Sequence, residues 1–189
     1  MRKFSLNNKP PMIRRLIILL LIVGCVYAQS RETTKVELSE HLKPLQSYIG
    51  KTFKGEFADS TPENPTYDIQ YWERALNGNA IKITHSVNNG EYGGESMIMW
   101  DAKVESLVSW YFTTAGFYTQ ATMIIENDKL VSYEKVTGNE NGITEVKSIM
   151  QLFSNGQLHT KSEYLQNGKW VDGHEIYYQE APNAKVLFK

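Results

Sequence analysis

Cysteine is almost missing: Cys25 is the single one in 189 residues, and it falls inside the apolar N-terminal stretch. Residues 29–189 therefore carry no thiol, which excludes thiol catalysis, zinc–thiolate sites and disulfide stapling there. Histidine is scarce too. His41, His85, His159 and His174 show no metal-ligand spacing. No Ser-His-Asp signature, phosphate loop or EF-hand loop is present, and a strand turn accounts for the glycine-rich "GEYGGES" (90–96). Long apolar runs reduce to one, "LIILLLIV" (16–23), which is short of the ~20 residues a transmembrane helix needs.

That run is preceded by Arg2, Lys3, Lys9, Arg14 and Arg15 and followed by "GCVYAQS". A basic segment, a short apolar segment and a small-residue cut site form an export signal over residues 1–28. Two cuts compete. Val26-Tyr27-Ala28 suits an ordinary signal peptidase and leaves Gln29 first, whereas Ile22-Val23-Gly24-Cys25 resembles a lipobox that would lipidate Cys25. The expected locations are accordingly secreted or periplasmic, with a membrane-anchored lipoprotein as the alternative.

The whole chain has 20 Lys+Arg against 21 Asp+Glu; without the five basic residues of the signal the balance is 15 against 21, a net charge of −6. An acidic surface repels phosphate backbones and anionic lipid, so nucleic acid is not an expected partner. No transmembrane segment is expected in the mature chain.

What the sequence has in abundance is turn chemistry and alternation. Five Asn-Gly pairs (77–78, 89–90, 141–142, 155–156 and 167–168) supply the positive φ that tight hairpins require. Between them lie "AIKITHSV", "LVSWYFTT", "FYTQATMIIE", "KLVSYEKV", "EVKSIMQLF" and "QLHTKSEYL", rich in β-branched and aromatic residues at period two. Roughly ten strands are expected, joined by short loops. One helix is expected over "ELSEHLKPLQSYIG" (37–50), with Ser39 as N-cap, Pro44 interrupting it and Gly50 ending it. Residues 29–36 are polar and read as a loose lead-in to one domain over 37–189. Successive hairpins leave two open edges unless the sheet closes, so the expected fold is all-β, an antiparallel up-and-down barrel with a helix over one end.

The pieces "LKPLQSYIGKTFKGEF" (42–57), "YWERALNGNAIKITHS" (71–86), "GGESMIMWDAKVESLVSWYFTTAGF" (93–117) and "NGKWVDGHEIYYQEA" (167–181) resemble the calycin group of lipocalins, fatty-acid-binding proteins and nitrobindin-like barrels. The nearest likeness is to secreted bacterial lipocalin-like domains of unknown function. The resemblance implies a barrel that encloses a small apolar ligand. In nitrobindin-like barrels a histidine near the last strand holds haem iron, and His174 lies on the corresponding strand. The glycine-rich entry of that family reads "GKTFKGEF" here, with Thr52-Phe53 where a tryptophan is expected.

Candidate site residues follow from phase. His85 shares its face with Ile81, Ile83 and Val87, an apolar row that points inward. His174 shares its face with Trp170, Asp172, Ile176 and Tyr178; inward, it lines a pocket or ligates haem, and outward it is merely solvated. Tyr71, Trp100, Trp110 and Tyr111 belong to an aromatic cluster suited to lining a cavity with polar tips. Arg74 joins them as an orienting charge that is also able to pair with Glu73 or Glu95. The expected ligand-binding set is Tyr71, Arg74, His85, Trp100, Trp110 and Tyr111, with no catalytic residue and no resident cofactor. Two alternatives remain: a haem-dependent or cofactor-free isomerase in the same barrel, and a lipid-anchored envelope protein acting through its outer surface.

Overall fold

The computed structural model describes residues 37–137 and 142–189. The export-signal pattern, Cys25, residues 29–36 and Asn141 lie outside the described residues. Within them the chain opens with a 3-10 helix, Glu40–Tyr48, and continues through β1 (Thr52–Phe57), β2 (Tyr67–Ala75), β3 (Ala80–Val87), β4 (Tyr92–Asp101) and β5 (Ser106–Thr113). There follow β6 (Tyr118–Glu126), β7 (Lys129–Thr137), β8 (Ile143–Leu152), β9 (Leu158–Gln166) and β10 (Lys169–Glu180). Each strand pairs antiparallel with its sequence neighbour, and β1 pairs with β10 from Phe53↔Glu180 to Phe57↔Ile176, closing the barrel. Closure leaves no long unpaired edge. No helix among the described residues is long and apolar enough to cross a membrane.

The hairpins use the residues that tight turns demand. Asn77-Gly78 and Asn167-Gly168 both have positive φ at each position, while at Asn89-Gly90 and Asn155-Gly156 only the glycine does. Asn127-Asp128, which carries no glycine, turns β6 into β7 with φ of 50° and 59°. Asn and Asp tolerate this region because their short polar side chains bond locally.

The helix is shorter than expected and of the tighter 3-10 type, with Pro44 inside it. Proline has no N–H, so a regular i→i−4 ladder is interrupted there. Ser39 does stand at the N-cap, but through its carbonyl, which accepts from the N–H groups of Leu42 and Lys43 at 2.9 Å; its side chain makes no cap bond. Gly50 follows the helix at φ 80°. The helix lies over the barrel end where β1 begins: Leu42, Leu45 and Tyr48 pack with Phe53, Trp72, Ile81, Ile98 and Leu158. The Tyr48 hydroxyl accepts from the Leu152 N–H at 3.1 Å, tying the helix to β8. This end is filled. After β10 the chain runs back along the outer wall, where the Leu187 N–H donates to the buried Ser86 Oγ at 3.0 Å.

Candidate functional site

A cavity of about 620 Å³ occupies the barrel above that filled end. Its floor is apolar, made by Trp72, Ile98, Met123, Leu130 and Met150. A belt of polar side chains circles the middle, including Asp68, Gln70, His85, Ser96, Ser109, Tyr111, Thr119, Ser132, Glu134, Ser148 and Thr160. Phe57, Val87, Phe117, Val136 and Tyr164 line the rim, with exposed His174 and Asp59 at the mouth. An apolar room with a few converging polar groups is the usual form of a small-molecule pocket.

The belt is organised around His85. Its Nδ1 lies 2.7 Å from Asp68 Oδ1, and its Nε2 lies 2.6 Å from the Tyr111 hydroxyl. The second oxygen of Asp68 accepts from the Tyr178 hydroxyl at 3.1 Å. The Tyr111 hydroxyl in turn lies 3.1 Å from that of Tyr92. An ionised carboxylate only accepts, so His85 Nδ1 carries a proton toward Asp68. If Nε2 is also protonated, the chain runs His85→Tyr111→Tyr92; if it is not, Tyr92 donates to Tyr111 and Tyr111 to Nε2. In either direction Tyr92 is the terminal hydroxyl of the chain, and it lines the cavity.

Two glycines make this chain of contacts possible. Tyr178 on β10 and Asp68 on β2 both pair with Gly55 of the intervening β1, and Tyr178 reaches Asp68 across it. A Cβ on Gly55 would stand 2.9 Å from the Tyr178 ring. On the other side His85 pairs with Gly94 of β4, and Tyr111 of β5 reaches back over that glycine. A Cβ there would stand 2.5 Å from the Tyr111 ring and would strike the Phe112 carbonyl oxygen. Polar side chains from five strands thus join across six adjacent strands because two positions have no side chain.

Burial raises the pKa of the Tyr111, Tyr92 and Tyr178 hydroxyls; the nearby Asp68 carboxylate pushes each of them further the same way. All three remain neutral donors near neutral pH. Opposite them Glu134 projects from β7, where Thr119 Oγ1 donates to Oε2 at 2.9 Å and Ser132 Oγ donates to Oε1 at 3.2 Å. Burial raises the Glu134 pKa, and the two hydroxyl bonds pull it down by less.

Of the expected ligand-binding set, His85 and Tyr111 line the cavity and touch each other. The other four do not line it. Tyr71 faces outward from β2, one residue out of phase with Gln70 and Trp72. Trp110 lies between Met97 and Gln120 on the outer wall. Trp100 sits at the filled end with its ring stacked on His41 at 3.7 Å, and Arg74 lies below the barrel, its Nε donating to the Glu37 carbonyl at 3.2 Å. Glu73 and Glu95 do come together, but on the outside, each 3.3 Å from Lys82 Nζ.

The face assigned to His174 is corrected by a register shift between Asp172 and Glu175. The extra residue there puts Trp170 and Asp172 on the outer wall while Ile176 and Tyr178 point in, so the five positions do not share a face. The Ser162 hydroxyl pins this bulge, accepting from the His174 N–H at 3.1 Å. The His174 ring stands at the mouth, edge-on to Phe57 at 5.0 Å and near Tyr164 at 5.9 Å. Metal-binding histidines usually donate their second ring nitrogen to an orienting acceptor. Among the described residues the His174 ring makes only these aromatic contacts. His85, which does have such a partner, has its other nitrogen taken by Tyr111. The residues present do not fit a haem cradle.

Asp68, Tyr92 and Glu134 are not among the expected site residues, and Tyr178 belongs to a face that the sequence leaves open between pocket and solvent. The usable signal is the pair Gly55 and Gly94, which leave a missing side chain beside Asp68 and beside His85 respectively. No protein-family model matches the chain, and no curated protein matches it in sequence.

Proposed function

We propose that the protein is an exported carrier that encloses a small ligand with a largely apolar body. The observation that supports this best is the cavity of about 620 Å³, apolar at floor and rim and polar in one belt. Covering apolar ligand surface there would contribute ~25 cal/mol per Å², and the Tyr92 hydroxyl and Glu134 would orient the ligand's polar group. The likeness to calycin barrels supports the same reading. Export rests on the basic-then-apolar pattern of residues 2–23.

The test is equilibrium binding of Nile red, a neutral polarity-sensitive fluorophore, to the purified protein. Uptake with enhanced emission is expected, and Ser148→Phe, which puts a ring into the cavity from β8, should abolish it. Trp110→Ala on the outer wall should leave it unchanged. Binding that survives Ser148→Phe but is lost in Trp110→Ala would move the site to the exterior and overturn the proposal.

A further inference from the structure

The two carboxylates of the polar belt are unequally coordinated. Asp68 meets the His85 Nδ1 at 2.7 Å and accepts from the Tyr178 hydroxyl at 3.1 Å. Glu134 has hydroxyl partners only: among the described residues no Lys, Arg or His side chain lies within ion-pair distance of it. Lys161 borders the cavity, but its ammonium lies 4.0 Å from Asp172 on the outer wall. A carboxylate in an apolar cavity loses hydration that two hydroxyl donors replace only in part. A ligand bringing its own anion would add a further negative charge to the same low-dielectric space, whereas one bringing N–H donors would complete the coordination of Glu134.

We propose, resting on the carrier reading above, that the cavity selects amphiphiles with a hydrogen-bond-donating head, primary amines ahead of alcohols and alcohols ahead of carboxylates. Glu134 is the counter-charge and Tyr92 the facing hydroxyl. The ligand body lies on Trp72, Ile98, Met123 and Met150. A donor head is the one group that both the Glu134 oxygens and the lone pairs of Tyr92 accept from.

The experiment displaces bound Nile red from the purified protein with decylamine, decanol and decanoate, which share one ten-carbon body and differ only in the head. Decylamine should compete about tenfold or more better than decanoate, with decanol between them. Glu134→Gln keeps the side chain's size and should bring the three within about threefold of one another. Glu163→Gln removes the same charge from the outer wall, where Glu163 pairs with Lys147, and should leave the ranking intact. The ranking on the unsubstituted protein stands whether or not the variants fold. Decanoate competing equally or better overturns the inference, as does failure of all three to displace bound Nile red. A ranking that persists in Glu134→Gln, or that collapses equally in Glu163→Gln, removes Glu134 from it. Failure of Nile red itself to bind sinks the carrier reading instead, and the two failures are thereby told apart.

Discussion

Gly94→Ala is the smallest change that strikes the polar belt. In an ordinary strand the replacement is favourable by about 0.5–1 kcal/mol, because glycine loses more backbone freedom on folding. Here the added methyl meets the Tyr111 ring and the Phe112 carbonyl oxygen. Overpacking of this kind costs about 1–3 kcal/mol. Moving the ring also breaks the hydrogen bond to His85, a further 0.5–1.5 kcal/mol or so. The unfavourable effects win, and the expected net loss is about 2 kcal/mol within outer bounds of roughly 0.5 and 4. For a domain of this size that lowers Tm by about 4–8 °C. Urea unfolding followed by circular dichroism should show a lower midpoint at unchanged m-value. In the Tyr111→Phe background the hydrogen bond is already absent, so Gly94→Ala should cost less by about 0.5–1.5 kcal/mol. A Gly94→Ala protein as stable as its parent would show that Tyr111 does not cross this glycine, and the chain from Tyr178 to Tyr92 would have to be redrawn.

Tyr178→Phe keeps the ring and removes one bond to the buried Asp68 carboxylate; a loss of about 1.5–3 kcal/mol is expected in the same urea assay, and none would mean that Asp68 is satisfied without it. For Glu134 the sign runs opposite to that of a salt-bridged acid. Its raised folded pKa means that the folded chain keeps the proton in a pH window where the unfolded chain has released it, so stability falls as pH rises from the ordinary carboxylate range through the raised value. Tyr92 and Tyr111 feel the charge of Glu134, and Asp68, His85 and Tyr164 line the same cavity. Glu134→Gln should flatten that slope and leave the variant the more stable protein above the window; parallel pH profiles would refute the burial argument. Haem titration should give no Soret band that depends on His174, and one that vanishes in His174→Ala would restore the haem reading.

The barrel was legible because turn chemistry and period-two alternation agree along the chain, from Asn77-Gly78 to Asn167-Gly168. His85 was legible for the same reason: Ile81, Ile83 and Val87 give its row one unambiguous face. Alternation misleads where both faces of a strand are mixed. In "DIQYWER" the inward row is Asp68, Gln70 and Trp72, so a rule that sends polar residues outward selects Tyr71 instead. Trp110 misleads likewise, since its neighbours Ser109 and Tyr111 are the ones that point in. On β10 the failure is of register. One extra residue at Gly173-His174 changes the phase, and alternation carries no mark of where a bulge will fall.

The domain supplies its own contrast for the central claim, since Met123 and Met150 line the cavity while Met97 and Met99 do not. Labelling the methionine methyls with carbon-13 and titrating the purified protein with decanol reads all four positions at once. Saturable shifts at Met123 and Met150, with Met97 and Met99 stationary, are the expected result. Shifts confined to Met97 and Met99, or none at any concentration below self-association of the alcohol, would contradict a hollow, ligand-accepting interior.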